Sequence, residues 1–242
     1  MTWQSVADEL SHWGDTGLTL PVWWRDDDAI ALTPALRRLV SLSSAVSVPV
    51  HLAVIPAQLT PALIAHVKAS PWLIPVTHGW AHTNHAPTRE KKSEFPSGRD
   101  ATHDLDQGVV AMAPLGPPVM FVPPWNRIHR ESTASLAARG YRAISTFAPR
   151  HAARTEELYQ INTHVDPIDW HGTRSALPEA QITAHIVSLL RARRERETDP
   201  DEPLGLLTHH LDHDTALWDF CARFWEVMAA GPIRPWTLED LP

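Results

Sequence analysis

The chain has 242 residues, 43% of them apolar and 20% charged, with a formal net charge of −7. That balance suits one large domain, residues 1–242, with a sizeable core and excludes a disordered chain. The acidic total without a basic stripe argues against nucleic acid as a partner. The single cysteine, Cys221, rules out an internal disulfide framework and a thiolate-rich zinc site.

Residues 2–13 have the spacing of a short amphipathic helix, with Trp3, Val6, Leu10 and Trp13 on one stripe. The apolar run 18–24 predicts a first buried strand. Thr33-Pro34 is a helix start, an N-cap followed by proline in the first turn, and Thr60-Pro61 repeats it. Between them, 47–56 is a continuously apolar strand of the kind found in parallel sheets covered on both faces. A third strand runs from Trp72 to Thr77. The polar stretch 83–100 reads as an excursion over the mouth of the fold, either a lid or a solvated loop. A helix over 101–113 and a strand over 119–122 follow, then a helix over 131–139 closed by Gly140. Short strands are expected near 142–147 and 158–163. The longest helix covers 177–196, and its basic end, Arg191 to Arg196, suits the negative pole of the helix dipole as a solvated face. A strand at 204–208 and a helix capped by Asp214 and ending near 229 complete the pattern. Cys221 falls on that helix beside Phe220 and Phe224, where a buried inert thiol is expected.

Seven strands alternating with helices predict an α/β fold, a closed or nearly closed parallel barrel. No stretch of about 18 apolar residues suggests a membrane span. The N-terminus shows no basic segment followed by an apolar core, so the expected location is the cytoplasm.

The fifteen histidines fall in clusters, and these clusters carry the chemistry. Arg25-Asp26-Asp27-Asp28 places three carboxylates at the mouth of the first strand. An acidic triplet can be a solvated turn that caps the next helix; placed near a buried strand, it needs a cation, a shared proton or an arginine. His78-Gly79-Trp80-Ala81-His82 follows the third strand, and histidines four apart can share a metal. Pro123-Pro124-Trp125-Asn126-Arg127, the run from His164 to His171, and His209-His210 follow strands four, six and seven. All lie at C-terminal strand ends, where a barrel places its active site, which points to an enzyme.

Asp-Asp after strand one, His-x-x-x-His after strand three, Phe121-Val122-Pro123-Pro124-Trp125 after strand four, Asp169-Trp170 after strand six and Leu207-Thr208-His209 after strand seven come in the order of the polysaccharide deacetylase family. The chain resembles this NodB-homology, or family 4 carbohydrate esterase, group from about Val22 to His209. The resemblance implies a distorted seven-stranded (β/α) barrel, a divalent metal, usually zinc, and hydrolysis of N-acetyl groups on amino sugars.

Carried over by position, Asp27 is the general base and Asp28 a metal ligand, with Asp26–Asp27 as the competing alignment. His78 and His82 match the other two ligands, and His209 the acid that protonates the leaving amine. Asp169 matches the residue that orients that histidine, with Asp166 also placed to do so. The chain departs from the pattern in three places: Ala29 replaces a glycine, Gly79 a serine or threonine, and Val122 an arginine that normally holds the catalytic aspartate ionised. Arg25 and Arg127 are the candidate substitutes for that arginine.

The residue types fit the chemistry. An Asp-His-His site leaves zinc coordination open for water and lowers its pKa toward ~7. A carboxylate takes the water's proton, an N–H near Pro124–Trp125 and the metal stabilise the oxyanion, and an acid protonates the amine. Trp23, Trp24, Trp80, Trp125 and Trp170 are candidates for a sugar-stacking groove, each weighed against core packing; Trp80 and Trp125 lie beside polar clusters. Substrate contacts are therefore expected from Trp80, Pro124, Trp125 and Trp170, with a small acetylated sugar, an oligosaccharide or a related amide as substrate. The run from His209 to Asp214 could form a second metal site, although one catalytic histidine with supporting and capping residues fits its position better. A non-catalytic carbohydrate-binding barrel is the competing function, and an isomerase or lyase using the same metal is a third.

Overall fold

The computed structural model describes all 242 residues. Helix α1 (Trp3–Asp15) leads into strand β1 (Leu20–Ala29), followed by α2 (Pro34–Val46), β2 (Val50–Val54), α3 (Pro61–Ala69) and β3 (Leu73–His78). Beyond the irregular 83–100 segment come α4 (Thr102–Met112), β4 (Met120–Val122), α5 (Arg130–Ala134), β5 (Ala143–Ile144), β6 (Arg154–Thr155) and β7 (Leu158–Gln160). The chain then forms α6 (Glu179–Arg194), β8 (Leu204–Thr208), α7 (Thr215–Ala229) and β9 (Ile233–Pro235).

The sequence reasons for these elements are local. Thr33, Thr60 and Asp214 each accept a hydrogen bond from the backbone N–H three residues on, at 3.1, 3.3 and 2.9 Å. Such caps are each worth about 1 kcal/mol. Pro34 and Pro61 fill first-turn positions that lack an N–H partner in any case. β2 is buried at every position, as its continuous apolar pattern predicts.

All nine strands join one curled sheet in the order β6-β7-β5-β4-β3-β2-β1-β8, with β9 also on β1. Pairing is parallel throughout except for the β6–β7 hairpin. This corrects the expected distorted seven-stranded parallel barrel: β6 and β9 are additional, and the sheet does not close by continuous ladders. β4 has three residues and β5 two, too few to carry a ladder around the far side. Instead, isolated bridges at Phe147–Thr163 and Val165–Leu206 bring the sheet's two ends together. At the seam, His164 and Val165 N–H donate to the Gly205 carbonyl at 2.8 and 3.0 Å.

Alternation along β1 sorts its side chains between two layers. Trp23 faces the curl of the sheet, packed with Val76, Met120, Val122 and Trp236. Trp24 faces the helices and lies 5.4 Å from the Trp225 ring. Both indoles are fully buried, so neither forms a sugar groove. Cys221 is buried in α7 and burial pushes its thiol pKa up, in line with an inert thiol. The basic end of α6 meets the solvated-face expectation only in part: Arg191 and Arg196 are exposed, but Arg193 and Arg194 are drawn in. Arg193 is fully buried and donates to the Glu202 and Leu189 carbonyls, while Arg194 pairs with Glu9 of α1 at 2.6 Å. No helix is long and apolar enough to cross a membrane.

Candidate active site

The acidic triplet lies within β1, which extends through Ala29. Arg25 and Asp27 share one face of the strand and Asp26 takes the other. The Arg25 guanidinium is fully buried. Its Nε and Nη2 each lie 2.9 Å from an oxygen of the Asp27 carboxylate. Further N–H groups donate to Ser145 Oγ at 2.7 Å, Asn126 Oδ1 at 2.7 Å and the Thr146 carbonyl at 3.2 Å. Arg25 thus supplies the counter-charge for Asp27 that Val122 cannot. Arg127 points elsewhere and donates to the Lys92 carbonyl.

Asp26, on the opposite face, is sealed beneath the 3₁₀ turn His210–Asp212. It accepts from Thr208 Oγ1 at 2.6 Å and His210 N–H at 3.0 Å, and its other oxygen contacts the His210 ring. Burial alone would raise its pKa, but His210 and Thr208 hold it below the usual carboxylate value.

Asp28 breaks the alternation. Its φ of 69° lies in the left-handed region and swings its carboxylate toward the end of β3. Oδ1 lies 3.0 Å from His78 Nε2 and 3.3 Å from His82 Nε2. These three side chains are the one group of three or more His, Cys, Asp or Glu side chains that could hold a metal ion. His78 Nδ1 donates to the Val122 carbonyl at 3.0 Å, which fixes the tautomer and aims Nε2 into the cluster. Separations of 3.0 and 3.3 Å suit neighbouring ligands of one cation with bonds of about 2.0–2.2 Å. Burial would raise the Asp28 pKa, yet His78, His209 and His82 together hold it well below the carboxylate range. Burial favours neutral His78, but Asp27 and Asp28 outweigh it and raise its pKa. At His82 burial prevails over the attraction of Asp28, and the pKa is lowered.

The cluster opens into a cleft of about 830 Å³, lined by Asp27, Asp28, Trp125, Asp166, Trp170 and His209 among others. That volume is in the range of small-ligand sites. The His209 ring meets Trp170 edge-on at 4.7 Å, and Trp170 Nε1 donates to Asp166 Oδ2 at 2.7 Å. Burial raises the Asp166 pKa against the pull of His209. Trp125, with φ of 56°, leans on His82 at 4.3 Å and forms the opposite wall. Asn126 also has a left-handed φ, of 57°, and presents its side-chain oxygen to Arg25. Non-glycine residues in this conformation store strain and often mark functional sites.

Several expected site residues stand elsewhere. Asp169 faces away from the cleft, where its carboxylate accepts from Thr173 N–H at 3.0 Å. Asp166 instead lines the cleft with His209 and holds the Trp170 indole that the His209 ring meets. Trp80 and Pro124 do not line the cleft: the Trp80 backbone is tied to Ala57 and Glu94, and Pro124 is buried against Gly79. The run from His209 to Asp214 forms no second metal group. His210 serves Asp26, Asp212 pairs with Arg174, His213 packs edge-on against Trp218, and Asp214 caps α7. Asn126 was missed, its only signal being its place after Pro-Pro-Trp.

Neither the family models nor the curated proteins contain a match to this chain. The fold is nevertheless shared with solved structures. A Mycobacterium smegmatis protein assigned as a polysaccharide deacetylase superposes with a TM-score of 0.61 at 16% identity, over 85% of this chain and 74% of that one. A family 4 carbohydrate esterase from Streptomyces lividans, solved with acetate, gives 0.56 at 15% identity over 92% and 95%. A family 4 acetyl xylan esterase from Clostridium thermocellum, solved with a cobalt ion, gives 0.53 at 11% identity over 91% and 89%. The chain therefore has the fold of the polysaccharide deacetylases and family 4 carbohydrate esterases.

Proposed function

We propose that the protein is a metal-dependent hydrolase that removes an acetyl group from an N- or O-acetylated sugar or a related amide. The observation that carries this reading is the convergence of Asp28, His78 and His82 within 4.8 Å, in the cleft that Asp27 and His209 also line. The donor set, two imidazoles and one carboxylate, suits zinc or a similar divalent ion and leaves coordination open toward the cleft. When bound there, such an ion supplies Lewis acidity, activating water and polarising the substrate carbonyl.

The chain's own residues do the rest. Asp27, held by Arg25, accepts the proton of the attacking water. Asn126 and Arg127 N–H are spent on the Pro123 and Pro124 carbonyls, so the Trp125 N–H is the remaining donor of that turn for the oxyanion. His209 hands a proton to the departing nitrogen or oxygen, with Trp170 and Asp166 fixing its ring. Trp125 and Trp170 offer faces for a sugar ring. The placement of Arg25 supports catalysis over a non-catalytic binding barrel, because it restores the counter-charge that Val122 removes.

The test is metal content by elemental analysis together with turnover of acetylated amino sugars and acetyl esters. Asp27→Asn and His209→Ala are expected to keep the metal and lower kcat by about 10²–10⁴-fold each. Unchanged turnover in both variants would remove these role assignments. Absence of metal even after zinc is added would remove the mechanism.

A further inference from the structure

We propose that Glu94 is a positioning residue that clamps the loop carrying His82 and thereby preorganises the metal cluster. The inference rests on the metal-site reading above. Glu94 comes from the polar 83–100 segment, yet its side chain is fully buried. It makes no ion pair with any Lys, Arg or His. Its carboxylate instead accepts three backbone N–H groups that flank His82 in the loop after β3: Trp80 at 3.0 Å, Ala81 at 2.8 Å and Thr83 at 3.4 Å. A buried carboxylate is tolerated only with such donors, so the loop and the side chain depend on each other.

The backbone shows the same dependence. Gly79 and His82 both have left-handed φ, at 59° and 57°, which bends the segment around Glu94. A Cβ at Gly79 would lie 2.1 Å from Glu94 Oε2 and 2.6 Å from Pro124 Cδ. Glycine at 79 therefore leaves room for the carboxylate. The segment that delivers Glu94 is itself tied down. Ser93 N–H donates to Asn84 Oδ1 at 3.0 Å, and Phe95 is fully buried against Phe121 at 5.6 Å. His129 N–H donates to the Phe95 carbonyl at 2.9 Å. This stretch is a brace for the metal loop rather than a lid.

Groups that orient metal ligands typically change affinity by about 10–100-fold when removed. Glu94→Gln keeps the size of the side chain but replaces an acceptor oxygen with a donor facing the loop amides. The test is the zinc Kd by chelator competition and the d–d absorption of the cobalt-loaded protein, for wild type, Glu94→Gln and Asn84→Ala. Asn84→Ala removes a tether of the same segment without touching the loop amides. The expected result is a zinc Kd raised by about 10–100-fold and an altered cobalt spectrum in Glu94→Gln, with a smaller change of each in Asn84→Ala, which loosens the segment but keeps the carboxylate. Wild-type affinity in folded Glu94→Gln, or equal losses in both variants, would overturn the proposal. Amide exchange in metal-free wild type gives a measurement that needs no variant: Trp80 and Ala81 N–H should be protected, and unprotected exchange would also overturn it. Should the wild type take up no metal at all, the proposed function fails, and the exchange result alone decides whether the clamp exists.

Discussion

Arg25 and Asp27 are buried in contact, and neither has water to fall back on. Removing one partner of such a pair leaves an uncompensated charge and typically costs about 3–5 kcal/mol. Arg25→Met is therefore expected to lower the free energy of urea unfolding by that order. The Arg25→Met/Asp27→Asn double variant should recover part of the loss; strict additivity of the two single effects would deny the coupling. Alternation along β1 already contains the choice among the three aspartates: once Arg25 and Asp27 face inward together, Asp26 must face the helices. What alternation does not contain is the left-handed turn at Asp28 that brings it to His78, because that depends on the tertiary position of β3. Glu94 was likewise illegible, a carboxylate in a polar stretch whose burial is set by amides more than ten residues away.

Among the elements, the strand ends and helix caps were legible because threonine–proline starts and continuous apolar runs act locally. Seam and hairpin were not. Residues 161–165 carry little apolar signal, and their pairing is decided by which chain lies beside them. Gly205 marks how close that approach is: a Cβ there would lie 2.4 Å from Trp23 Nε1 and 2.8 Å from Thr163 Cα. Backbone and a buried indole cannot yield easily. Gly205→Ala is expected to destabilise the protein by about 1–3 kcal/mol or more, as overpacking does, seen as a lower urea midpoint. An unchanged midpoint would mean the seam is looser than its contacts imply. The basic end of α6 shows the converse error, since composition marks it as solvated while Arg193 is drawn inside by Glu202 and the Leu189 carbonyl.

Over the whole molecule, two buried histidines that do not line the cleft tie stability to pH. Burial lowers the pKa of His51, set between Trp23 and Trp236, to about 4, and that of His164, beside Glu202 and Arg193, also to about 4. The unfolded chain would protonate both near 6.5. Between pH 6.5 and 4 the unfolded state thus binds more protons, so stability is whole above that window and falls as pH drops through it. The slope is about 1.4 kcal/mol per pH unit for each histidine. Urea unfolding from pH 7 to 4 should show this decline, and His51→Leu should flatten it; an unaltered slope would place the sensitivity elsewhere.

β1 takes β9 and then β2 along one edge, and β8 along the other. Val22 pairs with Leu204 and Pro235, partners that leave the ribosome roughly 180–210 residues later. Asp28, His78 and His82 all lie on or just after strands that emerge early, and β1, β2 and β3 pair directly with one another. His209 arrives only with the strand that covers the open edge. During synthesis the nascent chain can bring Asp28, His78 and His82 together well before His209 is made. On the proposed function, completion of the site is thus deferred to the same late event that shields the edge of β1 from foreign strands.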